Sequence, residues 1–143
     1  MNHNSFNKII KWADENKIDD LQFTDYNNEC NDKKFRGLPR NKKILLKIKN
    51  LNLSEYNLYN IPEEIGDFKN LVCLNLDFNN LTLLPYNLCN LENLETLSIS
   101  ENKLTKIEED FSFLPNLYRI NIVGNDLKKI PNKLVPFIVN TMN

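Results

Sequence analysis

Glycine is scarce in this chain, at three residues in 143, which nearly excludes the Gly-rich loops that cradle phosphates. Histidine is scarcer. His3 is the only one, so most His-based metal sites and two-His acid–base schemes fall away. Cysteine is sparse and odd in number: Cys30, Cys73 and Cys89 contain no CxxC pair and suggest neither a disulfide framework nor a zinc set. A basic excess is also absent. The 18 Lys+Arg stand against 19 Asp+Glu, a net charge of −1, and no nucleic-acid partner is expected. No apolar run approaches the ~18 residues of a membrane span, and Met1–Lys11 has no apolar signal core. The expected setting is therefore a reducing cytoplasm with no membrane partner. The glycosylation triplets at Asn52 and Asn80 are read there as chance.

What the chain does have is asparagine, 26 of 143 residues, and lysine, which outnumbers arginine 15 to 3. An AT-rich genome produces that bias, and so does a fold that gives asparagine a structural task. Composition leaves both open.

Periodicity decides part of the question. Frames of 23 residues start at Ile48, Leu71, Leu94 and Leu117. Positions 1, 4, 6, 11, 14, 18 and 21 of every frame are large and apolar, for example Leu71, Leu74, Leu76, Leu81, Leu84, Leu88 and Leu91 in the second. At a 41% hydrophobic background, 28 such matches have a chance on the order of 10⁻¹¹. Position 9 carries Tyr56, Asn79, Asn102 and Asn125, and position 15 carries Pro62, Pro85, Glu108 and Pro131. One frame buries seven large side chains at ~1.5–3 kcal/mol each, against ~1–2 kcal/mol of backbone entropy for every ordered residue. A lone repeat cannot fold, and stacked repeats share one core.

The segment from Leu71 through Leu74, Leu76 and Asn79 to Leu81 resembles the leucine-rich repeat family, whose pattern is LxxLxLxxNxL. The continuation Leu84-Pro85-x-x-Leu88-x-x-Leu91 looks like the short bacterial and Ras-binding-type subclass. The resemblance covers Ile48–Phe137. It implies an α/β fold: a right-handed solenoid with a parallel concave sheet of about five strands and an irregular or 3₁₀ convex side. The amides of Asn79, Asn102 and Asn125 are expected to satisfy main-chain groups as a ladder that starts one repeat late, because Tyr56 cannot do this.

The ends are less regular. Phe6, Ile9, Ile10 and Ala13 predict a helix over Ser5–Asn16, capped by Asn4 or Ser5, with Trp12 in cap packing. Residues 1–17 are thus read as an N-terminal cap. Residues 18–47 are read as a degenerate repeat with Ile18, Leu21, Phe23 and Tyr26 in its strand half, Leu38 and Leu45 in its return, and an insertion within Asn27–Lys34. Residues 48–137 are the four regular repeats and 138–143 a tail, all in one domain. Either that tail folds over the last repeat, or the strand near Ile120 is an open edge inviting homodimerisation.

No catalytic residue, metal ligand or cofactor is assigned, and the chain is read as a non-enzyme. Cys30-Asn31-Asp32 fits the CxD motif of bacterial ubiquitin ligases, but no separate catalytic domain fits in this length. Cys73 is read as a neutral filler, Cys89 as structural, and Glu63-Glu64 and Glu108-Glu109 as solvated convex surface. Period 2 sends positions 3 and 5 of each strand to the concave face. Phe78 and Arg119 are the candidate anchors there, with Asn75, Asp77, Ser98, Glu101 and Asn121 as polar contacts. The expected function is a module that holds a partner protein on this face. The alternatives are a targeting piece of a translocated bacterial effector in a ligase-like system, and a self-association module.

Overall fold

The computed structural model describes residues 1–21, 36–108, 110–111 and 114–139. Four short strands, β1 (Asn50–Asn52), β2 (Cys73–Asn75), β3 (Thr96–Ser98) and β4 (Arg119–Asn121), form one parallel sheet in chain order. Each strand pairs with the residue 23 positions on: Leu51 opposes Leu74, Leu74 opposes Leu97, and Leu97 opposes Ile120. The described residues thus give four strands, with a one-residue parallel bridge at either edge, Arg36 to Asn52 and Ile138 to Ile120. On the N-terminal side the described neighbour of β1 is Arg36, and of the strand half expected from Ile18 onward only residues 18–21 are described. Phe23, Tyr26 and the insertion Asn27–Lys34 lie outside the described residues.

A left-handed residue follows every strand. Position 8 has positive φ in all four frames, at Glu55 (61°), Phe78 (55°), Glu101 (52°) and Gly124 (70°). This turn lets its N–H reach the next repeat: Glu55 donates to the Asp77 carbonyl at 3.0 Å, Phe78 to Ser100 at 3.0 Å and Glu101 to Val123 at 2.8 Å. The ladder therefore runs past the strand ends. The chain then turns inward, and position 9 fills the corner. Asn79 Oδ1 accepts from the N–H groups of Tyr56 (3.2 Å) and Leu58 (2.9 Å), and its Nδ2 donates to the carbonyls of Leu53, Leu76 and Asp77. Asn102 bonds Leu81, Leu76, Ile99 and Ser100, while Asn125 bonds Leu104, Ile99 and Ile122.

The convex side returns through 3₁₀ turns at Glu63–Asp67 and Tyr86–Asn90, each entered from a proline, Pro62 and Pro85. Proline has the required φ built in and lacks the N–H that a helix start leaves unpaired. Successive turns touch closely: a Cβ on Gly66 would stand 2.2 Å from the Asn87 carbonyl oxygen. Glu63 is not mere solvated surface. Its carboxylate accepts from the N–H groups of Tyr86 (3.1 Å) and Asn87 (2.7 Å) at the start of the next turn. Its neighbour Glu64 pairs with Lys8 at 3.1 Å.

One core runs through the molecule. All repeat positions of the first three frames are buried, as are Ile18, Leu38 and Leu45. At the N-terminal end α1 (His3–Glu15) buries Ile9, Trp12 and Ala13. The helix starts two residues earlier than expected because Asn2, not Asn4 or Ser5, is the cap, its Oδ1 accepting from Ser5 at 2.8 Å. A one-turn α2 (Lys42–Leu45) is capped in the same way by Asn41. At the C-terminal end Leu127, Ile130 and Phe137 are only partly buried. There the tail folds back, with Val139 N–H donating to the Ile120 carbonyl at 3.0 Å. Residues 140–143 lie outside the described residues.

Candidate partner-binding face

Position 5, in the middle of the concave face, is Asn52, Asn75, Ser98 and Asn121. An asparagine there turns its Oδ1 back onto the N–H two residues on: Asn52 onto Ser54 (3.0 Å), Asn75 onto Asp77 (2.8 Å) and Asn121 onto Val123 (3.2 Å). This is an asparagine side chain standing in for a backbone turn acceptor. Ser98 carries no such acceptor, and Asp77 of the preceding repeat takes over. The Asp77 carboxylate accepts from Ser100 N–H at 2.7 Å and from Ser98 Oγ at 2.7 and 2.8 Å.

The substitution has a geometric result. Where its neighbours carry Asn75 and Asn121, β3 presents Ser98, and a depression of about 330 Å³ opens over Ser98 and Thr96. Six of the seven residues expected to meet a partner line it: Asp77, Phe78, Ser98, Glu101, Arg119 and Asn121. Asn75 does not, and it is 5% exposed. Within the six, accessibility is uneven. Ser98 is buried and Asp77 is engaged by Ser98 and Ser100, whereas Phe78 is 57% exposed and Glu101 and Arg119 are exposed.

The first frame differs. Tyr56 has no amide, and its phenol donates to Asp19 Oδ2 at 2.7 Å while Arg36 lies 4.7 Å over its ring and reaches Glu55 at 3.2 Å. Burial, and then the bond to Asp19, push the Tyr56 phenol above its ordinary value. Arg40 ties the cap by donating to Asp14 (3.0 Å) and to the carbonyls of Leu38 (2.6 Å) and Ile18 (2.7 Å).

Sequence reasoning missed a second asparagine column. At position 23, Asn70, Asn93 and Asn116 each donate Nδ2 at 2.7 Å to a carbonyl 24 residues back, those of Leu46, Lys69 and Glu92. The 23-residue spacing of these asparagines was the available signal. The cysteines also depart from expectation. Cys73 is not a neutral filler: it is disulfide-bonded. Cys89 is a free, half-buried thiol whose pKa is pushed up by burial and by the nearby Asp110. Cys30-Asn31-Asp32 and Glu109 lie outside the described residues. Among those residues no group of three His, Cys, Asp or Glu is placed to hold a metal ion, and no helix is long and apolar enough to cross a membrane.

Comparison with known proteins agrees with this geometry. The family model described as leucine rich repeat matches residues 69–127. A leucine-rich-repeat protein of Leptospira interrogans superposes with a TM-score of 0.64 and 30% identity over 71% of this chain and 27% of its own. The leucine-rich-repeat domain of APL1B superposes with a TM-score of 0.61 and 20% identity over 96% of this chain and 40% of its own, a likeness of fold alone. This chain thus spans well under half the length of either structure. A search of curated proteins finds no match.

Proposed function

Since this chain is a leucine-rich-repeat protein, we propose that it is a protein–protein interaction module whose concave face holds a partner. The observation that supports this most is the depression between β2 and β4, which brings an exposed aromatic and an exposed arginine together on a rigid sheet. Both residue types are favoured anchors at interfaces. The strain at Phe78 supports the same reading. A bulky side chain at φ 55° is disfavoured, and glycine occupies the matching place at Gly124. An exposed aromatic kept there contributes little to the core. The role is binding rather than catalysis, consistent with leucine-rich-repeat domains in general. The test is affinity capture from the native cell with wild type, Phe78→Gly and Arg119→Gln side by side. Loss of the same partner with both variants is expected, and a partner retained by both contradicts the assignment of this face.

Self-association through the C-terminal end is the second reading, supported by the partly buried Leu127, Ile130 and Phe137 beside Val135, which is 54% exposed. Light scattering separates it from the first, since a strict monomer removes it. The disulfide at Cys73 supports an oxidising setting over the cytoplasmic one expected from cysteine count. Alkylation before and after reduction, read by mass, decides between them.

A further inference from the structure

The three arginines of this chain have different fates. Arg36 is tied to Glu55 and stacked on Tyr56, and Arg40 is tied to Asp14 and two carbonyls. Arg119, on β4, is exposed and its guanidinium has no hydrogen-bond or ion-pair partner among the described residues, although two acids line the same depression. Asp77 is held in the sheet, its carboxylate accepting from Ser98 Oγ and from Ser100 N–H. Glu101 lies against Gly124, where an added Cβ would clash with its carboxylate. The result is a guanidinium held on a strand with its donors open, beside a floor of small side chains and an exposed ring.

Resting on the reading of this face as a partner surface, we propose that the depression receives one acidic side chain of an extended partner segment. Arg119 holds that carboxylate, and an apolar neighbour of the acid lies against Phe78. A planar guanidinium matches a carboxylate with two parallel hydrogen bonds, which a lysine cannot do. The size, about 330 Å³, suits one or two side chains of an extended strand. The charges on Asp77 and Glu101 disfavour a second acid, so the segment carries a single carboxylate at this point.

The test is selection of a random peptide library, displayed with both ends embedded, against the full chain. The enriched peptides are then synthesised with acetylated and amidated ends and measured by fluorescence anisotropy. The expected consensus is one Asp or Glu beside an apolar residue. Arg119→Gln weakens binding roughly tenfold or more, Arg119→Lys less, and Glu101→Gln tightens it. Thr96→Arg, which plugs the floor, abolishes it, and matching thermal melts show that each variant is folded. Peptides blocked by Thr96→Arg yet lacking an acid, or indifferent to Arg119→Gln, overturn the carboxylate proposal and leave the concave reading standing. Peptides indifferent to Thr96→Arg as well, or no enrichment at all, count against both.

Discussion

The two ends of the solenoid are built from the same repeat and finished differently. At the N-terminal end every apolar position of the first frame is buried under α1, and Arg40, Tyr56 and Lys8 tie the cap down. At the C-terminal end Leu127, Ile130 and Phe137 remain partly exposed behind a tail held to β4 through Ile138 and Val139. The asparagine column records the same gradient. Asn79 makes bonds into two repeats and is 6% exposed, whereas Asn125 is half-buried with fewer partners. The lesson is that an identical residue at an identical repeat position is worth more where the next repeat covers it.

Several substitutions break or sharpen this contrast. The largest effect is expected at position 11. Leu81→Ala removes a fully buried side chain and should cost ~2–5 kcal/mol in denaturant unfolding, with Leu127→Ala costing about half as much or less. Equal losses would mean that the C-terminal end is as closed as the middle. Next comes position 9. Asn79→Ala and Asn102→Ala leave buried main-chain groups unpaired and should each cost ~1–3 kcal/mol, while Asn125→Ala, at a half-buried asparagine with three partners, should cost about the lower end of that range or less. Melting curves of the three variants test the order. Phe78→Gly removes exposed apolar surface and relieves a left-handed φ, so it should leave the melting temperature unchanged or slightly higher while partner binding is lost. A large drop in melting temperature would make Phe78 structural.

The smallest effect is a pH dependence specific to the N-terminal end. The Tyr56 phenol is raised from 10.0, so the folded chain holds this proton more tightly than the unfolded one. Its contribution is fully present below pH 10 and is lost as pH rises through the raised value. Tyr56→Phe should flatten that part of the alkaline decline in stability. An identical alkaline profile in the variant would show that the phenol is not coupled to folding.

The repeat frame, its core and the place of the sheet were legible in the sequence because apolar period and burial are nearly the same information in a solenoid. The polar columns other than position 9 were not. Asn75 and Asn121 looked like free concave amides, yet each turns its oxygen onto its own backbone, a geometry set by the turn after the strand and invisible to hydrophobic period. Asn70, Asn93 and Asn116 were visible as a spacing but had no apparent partner until the carbonyls of the preceding repeat were in place. The depression itself depends on a trade between two repeats, Ser98 for an asparagine and Asp77 as the substitute acceptor. That trade is legible only once the two side chains are seen to meet.

Recognition is proposed to lie between β2 and β4, with no partner contact at either end. Backbone amide shifts of the ¹⁵N-labelled chain on titration with its captured partner, or with a selected peptide, test this most directly. The predicted result is a set of shifted resonances centred on Phe78, Thr96, Glu101 and Arg119, with α1 and residues 127–138 unmoved. Shifts concentrated at Leu127–Ile138, with the concave residues silent, would contradict it and make the open end the binding surface.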